Sequence, residues 1–147
     1  MNCLRIIIGL ALTLALAACS GDGHVDIAAE NTETITHYAQ FRDPQQNRVV
    51  IFVFAEEASS TEIIHHAQSL EHKEDRLMAV YYFPQGGVDM PPTRLSRSGS
   101  IIRANDLMYD DPDIGIWHYA YLRPFVGEPR FTDCIDAPED VLCRQNQ

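Results

Sequence analysis

The chain has 147 residues, with 21 Asp and Glu against 11 Lys and Arg and a formal net charge of −10. So acidic a balance excludes nucleic acid as a partner, because phosphate binding needs a basic face. The length suits one domain with a modest core and is too short for two.

The chain opens with the three parts of an export signal. Arg5 supplies positive charge, Ile6 to Leu16 form a short apolar stretch, and the small residues Ala17 and Ala18 lead into Cys19. As a helix, Ile6 to Ala18 reaches about 20 Å at about 1.5 Å per residue. That falls short of the roughly 30 Å of a bilayer core. Leu16-Ala17-Ala18-Cys19 resembles the lipobox of bacterial lipoproteins. The resemblance implies that Cys19 is acylated and becomes the first residue of the mature chain. With Ser20 rather than Asp behind it, the anchor is expected in the outer membrane, with the domain facing the periplasm. Cleavage would remove residues 1–18, which hold one arginine and no carboxylate, so the mature charge becomes −11.

Residues 19–32 are small, polar and acidic without a sustained apolar period, and they read as a tether. The globular domain is then 33–147. On so acidic a protein, the lipid and not the protein surface is expected to make the membrane contact.

"TITHYAQF" (34–41) alternates like a strand, and "RDPQQN" supplies Asp-Pro turn chemistry. "RVVIFVFA" (48–55) is an unbroken β-branched and aromatic run, the pattern of a strand buried on both faces. In "ASSTEIIHHAQSLEHK", Ser59 or Ser60 caps an amphipathic helix whose apolar stripe is Ile63, Ile64, Ala67 and Leu70. "RLMAVYYFP" (76–84) is a second unbroken apolar run, and strand–helix–strand of this kind predicts a parallel βαβ crossover. Residues 85–100, rich in Gly, Pro and Ser, read as a long loop. "IIRANDLMYDDPD" reads as a short helix capped by Ser98 or Ser100, although its middle also suits a strand. "IGIWHYAYLRPF" (114–125) reads as a strand with Trp117, Tyr119 and Tyr121 on one face. "VGEP" then turns into "RFTDC", a hairpin partner, and a helical turn follows from Pro138.

The fold class is therefore α/β, or mixed α+β: a small single-domain mixed sheet with one βαβ crossover and a C-terminal hairpin. From residue 48 onward the element order resembles that of a thioredoxin fold. The Cys-x-x-Cys of that fold is absent, "AEEASST" standing in its place, so thiol redox chemistry of that kind is excluded.

With Cys3 leaving in the signal and Cys19 acylated, Cys134 and Cys143 remain, and in an oxidising compartment they read as one disulfide. A metal pair helped by Asp133, Asp136 and Glu139, or two free thiols, are the other readings.

Histidines crowd the first helix. Glu62 with His65 or His66 has metal-ligand spacing, but His65 and His72 are two turns apart and no His-Glu-x-x-His occurs, so a solvated polar face is expected. "DDPD" (110–113) reads as a helix-ending turn rather than a calcium loop. His118 reads as a core histidine rather than a catalytic base. No cofactor or metal is expected, and the hydrolase, P-loop and dinucleotide signatures are missing.

One loop stands out by charge. Arg94, Arg97 and Arg103 form a basic island, and "RSGS" sets Ser98 and Ser100 at a helix start, a geometry suited to an anion. The plainer alternative is a surface loop with a serine cap. Together these features predict a lipid-anchored, non-catalytic module that binds an envelope protein. The alternative is a small periplasmic ligand-binding protein or enzyme using the Arg94/Arg97 loop or the His65/His66 helix.

Overall fold

A strand that is apolar at every position needs cover on both faces and a neighbour on both sides. The computed structural model describes residues 30–144 and meets that need for two such strands. The export signal, Cys19 and the tether up to residue 29 lie outside the described residues. Strand β2 (Arg48–Phe54) pairs in parallel with β3 (Met78–Pro84), Arg48 opposite Met78 and Phe54 opposite Pro84. β1 (Ile35–Arg42) flanks β2 antiparallel, with its register shifted between His37 and Ala39. On the other side come β4 (Tyr119–Arg123) and β5 (Arg130–Asp133), both antiparallel, so the strands lie in the order of the chain.

Helix α1 (Ser60–Ser69) carries the β2–β3 crossover. Ser59 caps it, its hydroxyl accepting from the Glu62 amide while the Glu62 carboxylate accepts from the Ser59 amide. Its buried residues Ile63 and Ala67, with Leu70 beyond, cover Val50, Phe52, Val80 and Tyr82. Helices α2 (Pro92–Ser96) and α3 (Ile101–Asp110) serve the opposite face, where Leu95, Ala104 and Met108 meet Val49, Ile51, Ala79 and Tyr81. Each fully buried Val, Ile or Phe contributes about 1.5–3 kcal/mol. The result is one small mixed α+β domain. No helix among the described residues is long and apolar enough to cross a membrane.

Four expectations change. The loop over 85–100 contains α2, because Leu95 and Met90, 0% and 2% exposed, are drawn into the core. The strand expected over 114–125 spans only Tyr119–Arg123. Before it the chain turns at Gly115 (φ +90°), where a Cβ would meet the Gly87 carbonyl oxygen. Trp117 therefore packs on the α3 face, apart from Tyr119 and Tyr121 on the α1 face. Finally, a thioredoxin fold sets its hairpin beside the first crossover strand, whereas β4 lies beside the second, so the likeness stops at element order.

Both ends of the described chain are fastened. Cys134 and Cys143 form a disulfide with Cα atoms 5.4 Å apart, which ties α4 (Val141–Arg144) back to the end of β5. Glu30, Asn31 and Thr32, the last residues of the expected tether, dock on the domain. Asn31 accepts from the His37 amide at 2.7 Å, and Thr32 caps the Ile35 amide at 3.0 Å. The Glu30 carboxylate lies 2.9 Å from the Arg48 guanidinium, both side chains being under a tenth exposed. Arg48 also donates to the Glu71 carbonyl.

Arg48 neutralises the buried Glu30 carboxylate, so Arg48→Met leaves an unpaired charge inside. Urea unfolding of the variant should show a loss of about 3 kcal/mol, the cost of breaking one side of a buried pair.

Candidate functional site

β2 and β3 end together, and the C-terminal edge of parallel strands is where open α/β sheets place ligands. This is the upper end of the domain. It gathers the segments 31–34, 55–59, 85–91, 111–118 and 134–136. A groove of about 610 Å³ opens between the end of α2 and the outer side of α3. Arg94, Ser98 and Arg103 line it, together with four carboxylates: Asp106, Asp110, Asp111 and Asp113.

The loop residues singled out by sequence are thus brought together only in part. Arg94 is ion-paired with Asp111, whose side chain is 8% exposed. Asp111 also accepts from the Asp113 amide at 3.0 Å, beginning the 3-10 turn Pro112–Ile114 that ends the helical segment. Arg97 is exposed and does not line the groove. The Ser98 hydroxyl donates to the Leu95 carbonyl at 2.7 Å. The Ser100 hydroxyl accepts from the Arg103 amide at 3.2 Å, so the helix start meets its own cap. Two guanidiniums, one of them spent on Asp111, face four carboxylates, and the groove favours a cation over an anion. Asp106 and Asp110 were legible in principle, since residues four apart share a helix face, with Arg103 three before Asp106.

The histidines divide. His65 is exposed and lines a second groove of about 710 Å³ with Thr32, Glu33 and Thr34. His66 departs from the solvated face expected of it and is 6% exposed. Its Nε2 lies 2.6 Å from the Glu30 carbonyl, which can only accept, so Nε2 carries the hydrogen. Nδ1 then accepts from the Tyr82 hydroxyl at 2.8 Å. Burial holds the His66 pKa below the ordinary value, against the pull of Glu30. Burial likewise pushes the Tyr82 hydroxyl far up, which keeps it a donor. His72 bonds through Nε2 to the Arg76 carbonyl at 2.8 Å. His118 is half-buried beside Phe54, and burial lowers its pKa while Asp133 raises it. Among the described residues, no three His, Cys, Asp or Glu side chains gather where they could hold a metal ion.

Compared with protein-family models, with curated proteins and with solved structures, the chain matches none.

The Arg94–Asp111 pair separates the two loop arginines energetically. Arg94→Ala strands a nearly buried carboxylate and should lower stability by about 1–2 kcal/mol. Arg97→Ala should stay within about 0.5 kcal/mol. Denaturant melts of the two single variants check this.

His66, His37 and His118 all have lowered pKa values through burial. The folded state therefore prefers them neutral, and below the unfolded value of about 6.5 the unfolded chain binds more protons. Stability should be full above that pH and fall between about pH 7 and 5. His66→Gln should flatten that slope in part, as read by chemical denaturation across the range.

Proposed function

We propose that this chain is a bacterial envelope lipoprotein, held by acyl groups on Cys19, whose domain binds a partner protein and catalyses nothing. The reading places it in the outer membrane with the domain in the periplasm, on the strength of Ser20 behind the lipobox-like cysteine. The observation that carries the binding role is the charge of the upper end. Glu33, Glu56, Glu57, Asp89 and Asp136 are exposed there beside the four carboxylates of the α2–α3 groove. The partner that fits is a positively charged segment of another envelope protein. Carboxylates concentrated on one face steer such a partner and select its orientation.

The enzyme or small-ligand alternative draws less support. His66 and His72 are committed to structural hydrogen bonds, and Ser98, Ser100 and Arg94 are committed to partners within the domain.

Two measurements test the proposal in cells. Cys19→Ala should release the protein from the membrane into the soluble periplasmic fraction, and its continued sedimentation with membranes overturns the anchor. A photo-crosslinking residue at Asp113 should capture one envelope protein with a basic surface. Capture should fall by about tenfold when Asp106 and Asp110 become Asn, and it should weaken with salt. Capture unchanged by both treatments overturns the acidic-face reading.

A further inference from the structure

The lower end of the domain, where β2 and β3 begin, is built differently. The β4–β5 turn carries Phe125 and Val126, 50% and 90% exposed, and Ile102 at the start of α3 is 69% exposed. Phe125 and Ile102 line one mainly apolar groove of about 280 Å³ with Leu77, Met78 and Leu122, and Asp106 and Arg123 stand at its sides as a single acid and a single base. Contiguous apolar groups left open to solvent in this way mark a contact surface.

We infer that this end rests on the lipid surface to which the chain is anchored, with Phe125 and Val126 entering the interface. The inference rests on the lipoprotein reading above, and three observations select lipid as the occupant. First, the chain enters the domain at Glu30, which is held against Arg48, the first residue of β2; Arg48 in turn holds the Glu71 carbonyl behind α1. From Cys19 to Glu30 the backbone can span at most about 40 Å, which lets this end reach the bilayer. Second, the turns at this end, 71–77 and 123–130, carry four acids and four bases, while the upper end is dominated by carboxylates. The lower end therefore approaches anionic headgroups with less repulsion than the upper end. Third, Arg123 sets a cation at the rim of the apolar turn, its Nε donating to the Tyr121 hydroxyl at 3.1 Å and its guanidinium 5.8 Å from that ring's centre. The tether holds this end at millimolar-scale effective concentration, so a contact too weak for a free domain is populated.

Hydrogen exchange of the full-length protein on phosphatidylethanolamine–phosphatidylglycerol vesicles tests this. The protein is held by its own acyl chains or, if it carries none, by a maleimide phospholipid on Cys19 of the Cys3→Ser chain. The contact is therefore read whichever way the anchor reading falls. Amides 125–128 should exchange about fivefold more slowly on vesicles than in detergent-free solution, with 55–58 and 113–116 unchanged. The double variant Phe125→Ser/Val126→Ser, which keeps the core, should lose that protection. Equal exchange with and without vesicles overturns the inference. So does protection at 125–128 that appears only when an envelope protein is added, which assigns the surface to a protein instead.

Discussion

Strands β2 and β3 lie side by side in parallel, and every residue from Arg48 to Phe52 and from Met78 to Phe83 is buried. That single condition dictates most of the architecture. Parallel neighbours need a crossover, which α1 provides on one face. The opposite face would still be wet, so the chain after β3 must return across it, and α2 and α3 do so with Leu95, Ala104 and Met108. The outer strands then shield the edges of the pair, with β1 beside β2 and β4 beside β3.

Three large aromatic residues of this core, Tyr81, Tyr82 and Trp117, carry polar tips, and each tip finds a partner on the covering layer. The Tyr82 hydroxyl reaches His66 of α1 at 2.8 Å. The Tyr81 hydroxyl meets Asn105 at 2.7 Å and Tyr109 at 3.1 Å, both on α3. Trp117 Nε1 donates to the Met108 carbonyl at 3.1 Å. Apolar contact alone lets a helix slide on a sheet, whereas a buried hydroxyl without its partner costs about 1–3 kcal/mol. These bonds therefore set the register of α1 and α3. The same logic fastens Glu30, whose carbonyl completes His66 and whose carboxylate completes Arg48.

Averaged over the chain, the charge describes a uniformly acidic protein. In the fold the carboxylates concentrate where the parallel strands end, and the balanced, apolar turns collect where those strands begin. A domain tethered at its N-terminus and resting on the balanced end would hold its acidic face away from an anionic bilayer. Anchoring and partner binding would then use opposite ends and would not compete.

Local pattern was enough to read that there are five strands, although the fourth is shorter than its apolar run, and to read the capped first helix and the crossover, because each depends on residues close in the chain. The unbroken run 48–54 can only be a doubly buried strand, and Ser59 with Glu62 can cap a helix without help from elsewhere. What the chain order left undecided was set by contacts between distant residues. His66 shares the 63, 66, 67, 70 face of its helix, so periodicity alone allows its burial, but the partners that satisfy its ring, Glu30 and Tyr82, come from distant parts of the chain. Trp117 reads as continuous with Tyr119 until Gly115 packs on Gly87 and turns it to the other face. Arg94 reads as a free cation until the fold brings Asp111 to it, turning an expected anion site into an acidic groove. Periodicity reports which residues are apolar. Which polar groups are buried, paired or free depends on desolvation by the whole fold, and that was decided only when the layers closed.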